Sequence, residues 1–146
     1  MSNFETKLAE MGVILPDASA PLANYVPFVQ VGDMVHVSGQ ISNGPDGFLT
    51  GKLGADMTAE EGAAAAKSCA ISLLSQVKAA CGGDLDRLVR VVKLVGFVNS
   101  TADFTDPPKV LNGASDFMAA ALGYPGQHAS SAVSAAYLPF GVPTEV

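Results

Sequence analysis

The sequence is short of the side chains that bind nucleic acid, metal and membrane. Arg87 and Arg90 are its only arginines, and 8 lysines and arginines stand against 14 aspartates and glutamates in 146 residues. Binding a phosphate backbone needs a basic footprint that displaces counterions, so no nucleic-acid partner is expected. His36 and His128 are the only histidines, and Cys69 and Cys81 the only cysteines. Zinc needs three or four converging ligands, and no such cluster is visible, so no metal is expected. Cys69 falls on an expected helix and Cys81 at its end. They read as reduced thiols of a cytoplasmic protein. No stretch approaches the ~20 continuous apolar residues that span a bilayer. The opening Met1–Lys7 lacks the apolar segment of a signal peptide, and no membrane partner is expected.

What is present is apolar. Hydrophobic residues make up 49% and charged residues only 15%, with a mean hydropathy of +0.32. That is high for a monomer of this size. Self-association explains it, because an obligate interface resembles a core cut in half. The length suits one domain, residues 1–146, with a core of its own.

Periodicity predicts the elements. Phe4, Leu8 and Met11 share one face of a helix over 3–12, which Gly12 stops. Residues 16–24 read as a loop. Tyr25–Val31 and Met34–Ile41 read as strands joined at Gly32-Asp33, with a turn cluster over Asn43–Gly47. Thr58 and Glu61 form a capping box that opens a helix to about Ala80, with Ala63, Ala66, Ala70, Leu73, Leu74 and Val77 facing the core. Leu88–Val98 is a nearly continuous β-branched run, expected to be covered on both faces. A second helix is predicted over 108–122, then strands over 130–137 and 142–146. The order gives an α+β fold: a mixed sheet with two helices on one face and a short N-terminal helix. One helix pair cannot cover both faces of a central strand, so the other face is expected to be a subunit interface.

Several motifs, in order and spacing, resemble the Rid family of YjgF-like enamine/imine deaminases. They are Val37-Ser38-Gly39-Gln40, the capping-box helix, the Val89–Val98 run followed by Asp103-Phe104, Asn112, and the spacing from position 130 through Leu138-Pro139 to Glu145. The segment Val91–Ser100 is similar to a subgroup whose function is largely unassigned. The resemblance covers about Tyr25 to Val146. It implies a chorismate-mutase-like fold, a homotrimer, and a small-molecule cleft at each subunit boundary. In deaminating members each cleft hydrolyses an enamine or imine to a carbonyl compound and ammonia, with no metal or organic cofactor. Some relatives carry a ribonuclease label, which the acidic balance of this chain argues against.

The resemblance also implies site residues. Glu145 positions and deprotonates the attacking water, a role that needs a carboxylate within hydrogen-bond reach. Tyr25, Ser38, Gly39 and Asn112 would contact the ligand, with Gly39 letting the chain approach closely. Each has a plain structural alternative: a strand tyrosine, a hairpin bend, a helix-surface amide, a terminal glutamate. Ser130 departs from the pattern. In deaminating relatives an arginine there grips the substrate carboxylate through two parallel hydrogen bonds. Losing one partner of such a pair costs roughly 2–5 kcal/mol, a factor of about 30 to several thousand in affinity. Two functions stay open: imine hydrolysis on substrates without the usual carboxylate, and metabolite binding without turnover.

Overall fold

In the computed structural model, residues 1–20 and 24–146 are described. The loop expected over 16–24 lies partly outside them. Helix α1 (Asn3–Glu10) starts from a capping box in which Ser2 and Glu5 satisfy each other's backbone donors. The Asp86 carboxylate accepts from the next free donors, Asn3 N–H at 2.8 Å and Phe4 N–H at 3.0 Å. Leu8 is the one α1 side chain driven fully into the core.

The sheet is built from short pieces. β1 (Phe28–Val31) and β2 (Met34–Val37) form an antiparallel hairpin, and β3 (Asn43–Gly44) and β4 (Gly47–Phe48) a smaller one. Helix α2 (Ala59–Ala80) follows. Thr58 Oγ1 accepts from Glu61 N–H at 3.2 Å, and the Glu61 carboxylate accepts from Thr58 N–H at 2.8 Å. Gly82 and Gly83 end it in left-handed conformations, where their N–H groups reach the Ala79 and Lys78 carbonyls. Strand β5 (Lys93–Asn99), helix α3 (Pro107–Leu122), β6 (Ala129–Ala135) and β7 (Thr144–Glu145) complete the chain. β5 is central, parallel to β6 and antiparallel to β7.

Helices α2 and α3 lie on one face and cross closely. A Cβ on Gly113 would overlap the Ala63 carbonyl, and one on Gly96 would meet Leu111 at 2.6 Å. Glycine is what lets α3 approach both α2 and the sheet. One core cluster runs from Leu8 through Leu74, Val98 and Phe117 to Val146.

Several boundaries differ from expectation. α1 ends at Glu10 rather than 12, and the first strand starts at Phe28 rather than Tyr25. β2 closes at Val37 rather than Ile41, because the chain turns at Gly39 to meet β7. β6 stops at Ala135 rather than Tyr137, and β7 holds Thr144–Glu145 rather than 142–146. Leu88–Val92 is not strand: a 3₁₀ turn over Leu85–Arg87 precedes it, and Val91 N–H bonds the Pro125 carbonyl. Tertiary pairing overrode the β propensity of its valines. Ala63 and Val77 are half-buried, while Ala65 and Cys69 join the core stripe. Within one chain β5 is covered on one face only. Leu94, Gly96 and Val98 are buried under the helices, whereas Lys93, Val95 and Phe97 are exposed on the other side.

The Lys78 ammonium pairs with Glu5 and, with Ser2, holds its carboxyl down at about 2. A depressed carboxylate stabilises the fold above its ordinary value of 4.5 and loses that contribution as pH falls toward 2. Both groups are partly solvated, which limits the gain to about 1 kcal/mol. Glu5→Gln should therefore lower the urea midpoint at pH 7 and leave it unchanged near pH 2. An equal loss at both pH values would show that the ion pair contributes nothing.

Candidate functional site

Strand β7 joins two parts of the sheet and sets the site. On one side Glu145 and Thr144 pair with Phe97 and Val98 of β5. On the other, Gln40 and Val146 exchange backbone hydrogen bonds at 2.9 and 3.0 Å, and Ser42 N–H donates to the Thr144 carbonyl at 3.0 Å. Ile41 lies opposite Glu145. Strand alternation then decides direction. Thr144 turns into the helix layer, its hydroxyl 3.4 Å from Cys69 Sγ. Glu145 turns onto the uncovered face, in the row of Phe97 and Ile41.

The Glu145 carboxylate lies directly over Gly39, where a Cβ would overlap its Oε1. No larger residue at 39 allows that approach without moving the carboxylate. Ser38 is fastened to the strand-entry segment: its N–H donates to the Pro27 carbonyl at 2.9 Å and its hydroxyl to the Val26 carbonyl at 2.8 Å. The one hydroxyl proton of Ser38 thus orients the segment bearing exposed Tyr25, and its lone pairs remain to accept. Gln40 braces this turn by donating to the Ser38 carbonyl at 2.9 Å.

Asn112 and Ser130 do not join this group within one chain. The register sets Ser130 beside Leu94 and Ala132 beside Gly96, the row that faces the helices. Asn112 is exposed on α3, between Leu111, which covers Gly96, and Gly113, which meets α2. Of the six residues implied by the sequence, the chain brings Glu145 onto Gly39 and ties Ser38 to the segment that follows Tyr25, while Asn112 on α3 and Ser130 on β6 lie elsewhere. The 15-position separation of Ser130 and Glu145 does not place them on one sheet face, because their strands lie on different sides of β5 with opposite alternation.

The remaining titratable groups separate as readily. Burial pushes the Cys69 thiol up to about 11, which makes it a poor nucleophile. His128 accepts no ligand role here: its Nδ1 bonds the Gly126 carbonyl at 2.6 Å and its Nε2 the Ser115 hydroxyl at 3.0 Å, pinning the start of β6 to α3. Among the described residues no three His, Cys, Asp or Glu side chains converge as metal ligands. A residue the sequence reading did not single out is Lys52. Its ammonium donates to Asn99 Oδ1 at 2.7 Å and to the Ala136 carbonyl at 2.6 Å. Lying in the segment 49–54 after β4, it belongs to no motif; its only advance signal is the scarcity of basic residues.

Gly39→Ala should displace the Glu145 carboxylate while costing only about 1 kcal/mol of stability, since a side-chain end gives way more easily than backbone. Urea melts and ligand-induced thermal shifts check this. Gly39→Ala should lose the ligand response of the parent as fully as Glu145→Ala does; an unchanged response would show that the approach is incidental.

Comparison with known proteins bears on the family and the fold. The family model described as "YjgF/chorismate mutase-like, putative endoribonuclease" matches residues 5–142. Protein TCP17 of Trypanosoma cruzi is 50% identical over 141 residues, which is 95% of this chain and 88% of that protein. The crystal structure of Atu1372 from Agrobacterium tumefaciens, a protein of unknown function, superposes with a TM-score of 0.90 at 44% identity, over 97% of this chain and 87% of that one. A protein described as a putative endoribonuclease from Shewanella oneidensis gives 0.91 at 33% identity, over 97% and 94%. With the family model spanning nearly the whole chain and half the residues shared with TCP17, the chain belongs to the YjgF/chorismate mutase-like family.

Proposed function

We propose that residues 1–146 act as one domain that assembles as a homotrimer and hydrolyses small imines or enamines in clefts between subunits. Glu145 carries the reaction. Water attacks the iminium carbon as the carboxylate takes its proton, and the resulting carbinolamine expels ammonia, so that imine plus water gives carbonyl compound plus ammonia. The Gly39 backbone and the Tyr25 ring border the reacting carbon. Ser38 holds that border in place.

The observation that carries this reading is the Glu145 carboxylate seated over Gly39 on the uncovered sheet face. Three further facts support it. The same face exposes Val95, Phe97 and Val133, and the β1–β2 hairpin exposes Val29, Val31 and Met34. Exposed apolar side chains of this kind are what self-association buries. Asn112 and Ser130 lie away from Glu145 within one chain, so a cleft that uses all of them would draw on a second subunit. The net charge of −6 argues against RNA as the substrate. Among the described residues no helix is long and apolar enough to cross a membrane, and the cytoplasm is the proposed compartment.

Ser130 favours a second reading, a trimer that binds a small metabolite without turning it over, because a serine supplies neither the charge nor the two parallel bonds of an arginine. Two measurements decide. Sedimentation should give the mass of three chains rather than one of 14.9 kDa, and Phe97→Asp should reduce it. Ammonia release from imines generated in situ should fall about a hundredfold or more in Glu145→Ala. Equal release by the two proteins, with ligand binding retained, would leave the binding module standing and end the hydrolase.

A further inference from the structure

An apolar residue recurs at every third position of the strap that leads into β5: Leu85, Leu88, Val91 and Leu94. Leu85 and Leu94 enter the core, and Leu88 and Val91 pack against it. The pairs between them are exposed. A three-residue period belongs to neither a strand nor an α-helix. It suits the 3₁₀ turn over Leu85–Arg87 and then polyproline-type backbone, with Leu88 at φ −67° and ψ 117°. Each exposed pair ends in a base: Asp86-Arg87, Val89-Arg90 and Val92-Lys93. Val91 N–H donates to the Pro125 carbonyl at 2.7 Å, and Ala129 N–H to the Val92 carbonyl at 3.1 Å, which fasten the strap to the segment before β6.

We propose that the outer edge of this strap, Arg87 to Lys93 with Tyr124 beside it, is a docking surface for an extended acidic peptide segment of a partner protein.

Charge sets the sign of the partner. Three of the 8 lysines and arginines fall on the strap, and no acidic residue occurs from 87 to 102. The two aspartates just before are engaged with backbone. Asp86 accepts from Asn3 and Phe4 N–H, and Asp84 accepts from Asp86 N–H at 3.0 Å. Among the described residues the ion pairs are Lys78–Glu5 and Lys109–Glu60, so none of the three bases is matched to a carboxylate. Arg87 donates to the Cys81 carbonyl at 3.0 Å and Arg90 to the Gln127 carbonyl at 2.9 Å. The Arg90 guanidinium also lies 5.6 Å from the Tyr124 ring centre. It is thereby restrained while most of its donors remain for a carboxylate, which lowers the ordering cost of binding.

Spacing and apolar surface set the class of partner. Val89 is 84% exposed, Val92 53% and Tyr124 71%. Polyproline-type backbone rises about 3.1 Å per residue, so successive bases stand roughly 9 Å apart. An extended peptide with a carboxylate at every third position matches that interval, and its apolar residues meet the valines. Its carbonyls can receive the Val89 and Arg90 N–H groups, which have no partner among the described residues. A nucleic acid fits less well, because its phosphates recur about every 3.4 Å of axis. A long polyanion also meets the net charge of −6. A short peptide meets chiefly the strap, since charges beyond about 10 Å are screened. Phe97, the partner of Glu145, follows Arg90 by seven residues of chain, on the order of 20 Å, so the inference is independent of the proposed cleft.

The probe is a capped peptide of repeated Glu-Leu-Pro units, titrated by calorimetry into the intact protein. Its prolines favour extended backbone, and its glutamates recur at the interval of the bases. A Gln-Leu-Pro peptide and a uridine oligonucleotide are the comparisons. The Glu peptide should bind more tightly than either, and added salt should weaken it. Arg90→Gln should weaken it about three- to tenfold. Val89→Asp should do the same at an unchanged thermal midpoint, so that lost binding is not lost folding. Lys109→Gln removes an equal charge from α3 and should leave the affinity within about twofold. The proposal is overturned if the Gln peptide binds as tightly as the Glu peptide, or if the oligonucleotide binds more tightly. It is equally overturned if Arg90→Gln or Val89→Asp changes nothing, or if Lys109→Gln weakens binding as much. A fall in sedimentation mass in Arg90→Gln would also overturn it, by giving the strap to self-association.

Discussion

Both long helices pack on the same side of the sheet, and that one-sidedness governs everything else in the molecule. α2 and α3 press together through Gly113 and onto the sheet through Gly96, burying Leu94 and Val98 of the central strand. The alternate residues of that strand are left to the other face, where Val95 and Phe97 meet solvent in an isolated chain. A strand that is apolar on both faces but covered on one asks for a partner surface. The high hydrophobic fraction of the sequence thus has a location: it is the surplus on the uncovered face.

The functional geometry follows from the same alternation. Thr144 and Glu145 are neighbours in sequence, yet one hydroxyl approaches Cys69 in the core and the next side chain lies over Gly39 on the open face. A shift of register by one residue would bury the carboxylate among apolar side chains and expose the threonine. The backbone exchange between Gln40 and Val146 holds that register from the far side. Lys52 is tethered by Asn99 at the end of the same strand, β5.

Much of the fold was legible in the residues. Thr58–Glu61 announced α2 because a capping box satisfies two donors using only four consecutive residues. The apolar spacing of α3 held from Val110 to Leu122, and Gly82-Gly83 stopped α2 where expected. The Leu88–Val92 segment misled because valines prefer extended backbone whether or not a neighbouring strand exists to pair with. Pairing begins only at Lys93, opposite Ala129. The family motifs named Glu145 and Gly39, but motif spacing carries no information about which face a residue occupies. Ser130 and Glu145 therefore read as one cleft in sequence and separate onto two layers in the chain.

By itself the sequence determined the fold class, the family and the element order. These depend on local spacing, capping and patterning, which any short window contains. The tertiary structure decided three further things: that Glu145 rests on Gly39, that Ser130 lies on the other layer, and that Lys52 is drawn to Asn99 across 47 positions of chain. Each depends on strand register and loop closure between distant segments. No local interaction sets these, because a side chain's face is chosen by the partner its backbone pairs with.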